Sequence, residues 1–147
     1  DIFRKINFCG LTENAKRLGC ATSIDALVDQ GATQSVISTR LAKRLKGRAL
    51  RGFESIIEGR KIPVKLVAIQ LQAPGCAEAA LVVAVDDALV ARAGSMPGGR
   101  PIEAILGHDY LENQRAATRY IDKGDEVVCR AAPLVRLGAP RRRAKSR

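Results

Sequence analysis

Asp29 closes the apolar run Ala26, Leu27, Val28 and is followed at once by Gln30, Gly31, Ala32 and Thr33. An ionised carboxylate at the end of a buried strand costs several kcal/mol unless it is partnered or its pKa moves, so such residues are usually expelled to the surface. Retained beside a glycine that permits a tight turn and small residues that leave a groove wall, Asp29 has the setting of a group kept for acid–base chemistry. The plain alternative is a turn aspartate that accepts backbone N–H groups. A second apolar run ending in glycine, Ile105, Leu106, Gly107, leads through His108 and Asp109 to Leu111. His108, the single histidine, follows a turn glycine and reads as a helix-start or surface residue. Asp109 reads as a first-turn acid, favoured by the helix dipole or paired with an arginine. Thr33 and Ser35 offer hydroxyls, but no base stands at a recognisable spacing to activate them.

Strands must carry these residues. "KINFCGL" (5–11) and "SIDALVD" (23–29) alternate in part. "IPVKLVAIQLQ" (62–72) places Ile62, Val64 and Leu66 on one face and Val67, Ile69 and Leu71 on the other, as in a strand enclosed on both sides. "AEAALVVAVDD" (77–87) is similar, although its alanines leave helix open. Glycine and proline punctuate at 73–75 and along "GSMPGGRP" (94–101). Two helices are predicted. In "STRLAKRLKG" Ser38 or Thr39 caps, Leu41 and Leu45 are spaced i,i+4, and Gly47 ends the helix; the other is "HDYLENQRAA" after Gly107. Several short strands with two short helices predict a mainly β, barrel-like domain. There is no internal repeat, so two-fold symmetry in a working protein requires a second copy.

At 147 residues the chain suits one domain, and 46% hydrophobic with 27% charged residues is ordinary globular usage. Aromatics are only 3%, with no Trp, so the core must be aliphatic and base-stacking platforms are few. The net charge of +10 points to a polyanionic partner until its location is examined. Seven basic residues and no acid lie between Arg130 and Arg147, which leaves 18 basic against 15 acidic residues before them. The terminal "APRRRAKSR" reads as a disordered tail able to touch polyanions weakly. Four cysteines (Cys9, Cys20, Cys76, Cys129) without a C-x-x-C, and one histidine, argue against zinc and read as reduced residues of the core. With no leader and no run of 18 apolar residues, neither secretion nor membrane contact is expected, and the placement is cytoplasmic or within a polyprotein. A start at Asp1 reads as a fragment or processed product.

The order Leu27, Val28, Asp29, Gln30, Gly31, Ala32, Thr33 resembles the active-site turn of retropepsin-like aspartic proteases. "AILGHDYL" (104–111) is similar to that family's second element, an apolar pair and glycine leading into a helix. Together the resemblance covers roughly Ser23 to Asp122. It implies a closed acid-protease barrel with a short C-terminal helix and one catalytic half per chain, spanning 23–130, after an N-terminal extension or first strand (1–22) and before a basic tail (131–147). It implies a homodimer in which Asp29 of each subunit hydrolyses an extended peptide through an activated water, with no cofactor and no metal. Gln30, Gly31, Ala32 and Thr33 would line the turn, supported by Ile105, Leu106 and Gly107. The hairpin of Arg51 to Val64 would be a flap with Ile56, Ile57, Glu58 and Gly59 at its tip. "VDD" at 85–87 lacks the glycine and small residues of a second active-site turn, hence the second copy. Where the family carries Thr or Ser after the aspartate, this chain has Gln30, which brings an amide to the dimer axis. Two other readings stand beside this one: a silent dimerisation or peptide-binding domain on the same barrel, and a small basic β protein that binds nucleic acid.

Overall fold

The run from Ile62 to Gln72 is not one strand but two, divided at Val64 directly after Pro63, whose nitrogen carries no hydrogen to continue a ladder. The computed structural model describes residues 2–50, 54–57, 59–73, 76, 78–123 and 126–131. Its elements are β1 (Ile2–Leu11), β2 (Arg17–Val28), β3 (Val36–Ile37), α1 (Thr39–Arg44), β4 (Glu54–Ile57) and β5 (Arg60–Pro63). They continue with β6 (Lys65–Gln72), β7 (Ala79–Val85), α2 (Asp87–Arg92), β8 (Ala104–Leu106), α3 (His108–Ala117), β9 (Thr118–Lys123) and β10 (Glu126–Ala131).

Six strands close into a barrel in the order β1, β2, β8, β3, β7, β6. The chain is therefore mainly β, as its punctuation and alternation predict. Most neighbours are antiparallel, but β2 pairs with β8 and β3 with β7 in parallel. Residues 2–22, set apart in the sequence reading as an extension or first strand, supply β1 and the first part of β2.

Alternation across the barrel wall explains why these strands are apolar on both faces. Val28, Ile37, Val67 and Val83 point into the main core with Ile6, Phe8, Ile69, Leu71 and Leu106. Their chain neighbours Leu27, Val36, Leu66 and Ala84 point the other way and pack under Val90, Met96 and Ile102. Thus α2 and the segment around 94–102 cover one outer face of the wall, and a single period-two pattern serves two apolar clusters.

The helices follow their caps. Ser38 accepts the Leu41 N–H at 3.0 Å to open α1, and Leu41 and Leu45 are fully buried. At its other end Lys46, not Gly47, takes the positive φ of 55°, while the Gly47 N–H returns to the Ala42 carbonyl. The helix α2 departs from the sequence reading. Asp86 accepts the Ala88 and Leu89 N–H groups at 2.9 and 3.2 Å, ending β7 and capping a third helix beyond the two predicted. Asp87 beside it accepts the Thr39 N–H at the start of α1. The helix α3 matches its predicted span but is followed by the β9–β10 hairpin, so it is not the last element.

The cysteines correct an expectation. The register of β1 on β2 sets Cys9 opposite Cys20, and the two form a disulfide; Cys76 is disulfide-bonded as well. Spacing along the chain could not reveal that pairing. Of the basic tail, 132–147 lies outside the described residues.

Candidate active site

The barrel brings the two motifs of the sequence into one hydrogen-bonded crossing. Parallel pairing sets Leu27 beside Ile105 and Val28 beside Leu106, so Asp29 emerges at the end of β2 where β8 gives way to Gly107. The Asp29 N–H extends the ladder to the Leu106 carbonyl at 2.8 Å, and the Ala32 N–H closes the turn on the Asp29 carbonyl at 3.1 Å. The Ala32 carbonyl in turn accepts the His108 N–H at 2.8 Å. Each motif thereby satisfies backbone groups of the other.

Glycine matters at this crossing for two different reasons. A Cβ on Gly107 would meet the Ala32 carbonyl oxygen at 2.5 Å, so no larger residue fits between the segments. Gly31 has no positive φ, and its added Cβ would meet only Asp29 Oδ1, at 3.2 Å. Its absent side chain leaves the carboxylate uncovered; it is not demanded by the turn. The Gly31 N–H donates to Asp29 Oδ1 at 2.8 Å and fixes the direction of the carboxylate.

Beneath the turn lies a network that sequence reasoning did not assemble. Ser35 is fully buried; its Oγ donates to Asp109 Oδ1 at 2.6 Å and accepts the Gly107 N–H at 3.0 Å. The Ser35 N–H donates to Asp109 Oδ2 at 3.0 Å, and the Tyr110 N–H to Oδ1 at 2.8 Å. Asp109 is the first-turn acid of α3 that the sequence predicts, and its carboxylate also clamps Ser35, after the Asp29 turn, to the start of that helix. The only advance signal was a hydroxyl and a carboxylate bound for burial, 74 residues apart.

Asp25, four residues before Asp29 in β2, is a second carboxylate the sequence reading passed over. Its oxygens take Lys5 Nζ at 2.8 Å and Arg100 Nε at 3.0 Å. The hydrogen bonds from Arg100 first and Lys5 second hold its carboxyl below the ordinary range, against the opposing effect of burial. This cluster ties the 94–101 segment to β1 and β2. Tyr110 is buried in the core, and desolvation pushes its phenol up to about 12.

The remaining predicted residues are less tightly gathered. Gln30 and Thr33 are exposed and Ala32 is half-buried. Ile105 and Leu106 are buried in the wall. Ile56 and Ile57 are strand residues of β4, paired with Lys61 and Arg60, so they precede the turn residue Gly59, which has φ of 78°; Glu58 lies outside the described residues. The hairpin is a two-stranded sheet of its own.

No protein-family model matches this chain, and no curated protein does. Among the described residues Asp29 has no ion-pair partner, no group of three or more His, Cys, Asp or Glu could hold a metal, and no helix is long and apolar enough to cross a membrane. A single oriented carboxylate at the rim of a barrel can move one proton. A reaction that needs an acid and a base together needs a second group from elsewhere.

Proposed function

We propose that this chain is one half of a retropepsin-like aspartic endopeptidase, completed when a second copy brings its own Asp29 to the first. The observation that carries the reading is the crossing of the two motifs. The "DQGAT" turn and the "ILG" segment, distant in sequence, exchange backbone hydrogen bonds around one carboxylate that the Gly31 N–H orients. Two such carboxylates at close range share one proton, because both cannot ionise together; the titration belongs to the pair. The ionised member takes a proton from water as its oxygen attacks the peptide carbonyl carbon, and the protonated member gives its proton to the carbonyl oxygen. Collapse of the resulting diol breaks the C–N bond as one diol hydroxyl gives its proton to the ionised Asp29 and the protonated Asp29 gives its own to the leaving amine nitrogen, which restores the pair. An extended substrate pairs with backbone near Gly31 and with the β4–β5 hairpin, which serves as the flap.

The test is cleavage of a mixed peptide library from acid to neutral pH by the natural chain and by Asp29→Asn, at matched concentration. Cleavage that vanishes with the substitution supports the mechanism. Cleavage that survives it refutes the assignment.

One observation favours a second reading on the same barrel. Gln30, exposed beside Asp29, replaces the hydroxyl residue that the family sets between two subunits. A folded dimer that binds extended peptide and cuts none would be a silent binding domain.

A further inference from the structure

The charge of the body is gathered in one place that the proposed site does not use. Between Gln30 and Phe53 there are six basic residues and no acid. Five of them, Arg40, Lys43, Arg44, Lys46 and Arg48, lie on α1 and the four residues after it, and all five are exposed. The backbone gathers them further: the Lys46 N–H returns to the Lys43 carbonyl at 3.0 Å, so both lysines leave the same helical turn. Among the described residues the acid ion-paired with this face is Glu103, 3.9 Å from Arg40 and 3.5 Å from Arg44. Lys43, Lys46 and Arg48 have no acidic partner among the described residues.

We infer that the C-terminal end of α1 and the turn after it, through Lys43, Arg44, Lys46 and Arg48, bind the phosphate backbone of a nucleic acid. Charge at a helix C-terminus has a local explanation, since cations there satisfy the helix dipole. That effect fades within one turn, and Lys46 and Arg48 lie past the last helical residue, Arg44. A lipid surface fits less well. The apolar residues of this segment, Leu41, Ala42 and Leu45, are all buried in the core, which leaves nothing to enter a bilayer. Base recognition is not expected either: Phe3 is the one large aromatic exposed among the described residues, and it lies on β1. The contact is therefore sequence-independent and salt-sensitive.

The experiment uses the full chain and a fluorescent oligonucleotide, in single-stranded and duplex form, titrated between about 50 and 200 mM salt. The variants are Lys43→Gln/Lys46→Gln/Arg48→Gln, and a tail control, Arg141→Gln/Arg142→Gln/Arg143→Gln. Loss of three phosphate contacts should lower the single-strand salt slope by about 2 and weaken binding about 10- to 100-fold near 0.1 M salt. If the triple variant melts early, the double Lys43→Gln/Arg48→Gln leaves the positive-φ residue alone and should lose about two-thirds of that slope. Native affinity and slope in the α1 variants, with loss confined to the tail variant, would overturn the inference. So would binding to phosphatidylserine vesicles with none to either oligonucleotide.

Discussion

The Ser35–Asp109 clamp makes a prediction whose size can be worked bond by bond. Replacing Ser35 with Ala removes a 2.6 Å hydrogen bond to a carboxylate, worth about 2 kcal/mol, and leaves the Gly107 N–H buried without its acceptor, about 1 kcal/mol more. Replacing Asp109 with Ala removes the same bond and also the acceptor of the Ser35 N–H, about 2 kcal/mol each. The Tyr110 N–H keeps the Gly107 carbonyl and adds little. Expected losses are therefore about 3 and about 4 kcal/mol for the single variants, within the usual 5–15 kcal/mol of a domain. The double variant should lose only about 5, because the shared bond is counted once. Guanidinium unfolding at neutral pH of the four proteins reads the cycle directly. Additive losses, with the double variant near 7 kcal/mol, would show that Ser35 and Asp109 do not act on one another and would sink the clamp.

Four further outcomes are expected. Gly107→Ala should cost about 3 kcal/mol or more by thermal or chemical melt, because its Cβ meets the Ala32 carbonyl. Gly31→Ala should stay within about 1 kcal/mol of the natural chain yet abolish peptide cleavage, so a large melt shift there would contradict the account of that glycine. Asp25, whose folded pKa is lowered, contributes stability above the ordinary value of 3.8 that is lost as pH falls through its lowered one. Asp25→Asn should then lower Tm at neutral pH, with the gap closing in acid; a gap that widens on acidification would contradict it. Tyr110, raised to about 12, contributes stability below the ordinary phenol range that is lost as pH rises from 10 toward 12. Tyr110→Phe should remove that part of the alkaline destabilisation, seen by melting at stepped alkaline pH, and an unchanged alkaline limb would count against it.

Local signals in the sequence read correctly where the cause is local. Ser38 three residues before the Leu41 N–H announced α1, and Gly107 announced the start of α3. Leu66 and Val67, apolar on both sides, announced a wall with cover on each face. The misses come from causes that are not local. Asp86 is unremarkable in "AVDDALVAR" until its carboxylate caps α2, and Val36–Ile37 is too short to show a period. Cys9 and Cys20 became partners through strand register, which no spacing rule supplies. At the site, Asp29 and Gly107 were legible because each ends an apolar run. Ser35 and the Asp25–Lys5–Arg100 cluster were not, because a buried polar group declares itself only once its distant partner is known.

The parallel pairing of β2 with β8 also sets an order of events. Residues 26–28 find their neighbours only at 104–106, and the carbonyl of Ala32 waits for His108. A chain growing from its N-terminus can form the β1–β2 hairpin early, since that contact closes a short loop. The Asp29 turn then stays without its second wall until residues 104–108 have been made. Contacts of such separation are slow to form, and domains generally fold as units during synthesis. The Gly31 N–H that orients the carboxylate is local, but the wall against which the turn is held comes last of the six barrel strands, so an unfinished chain carries the motif without its frame.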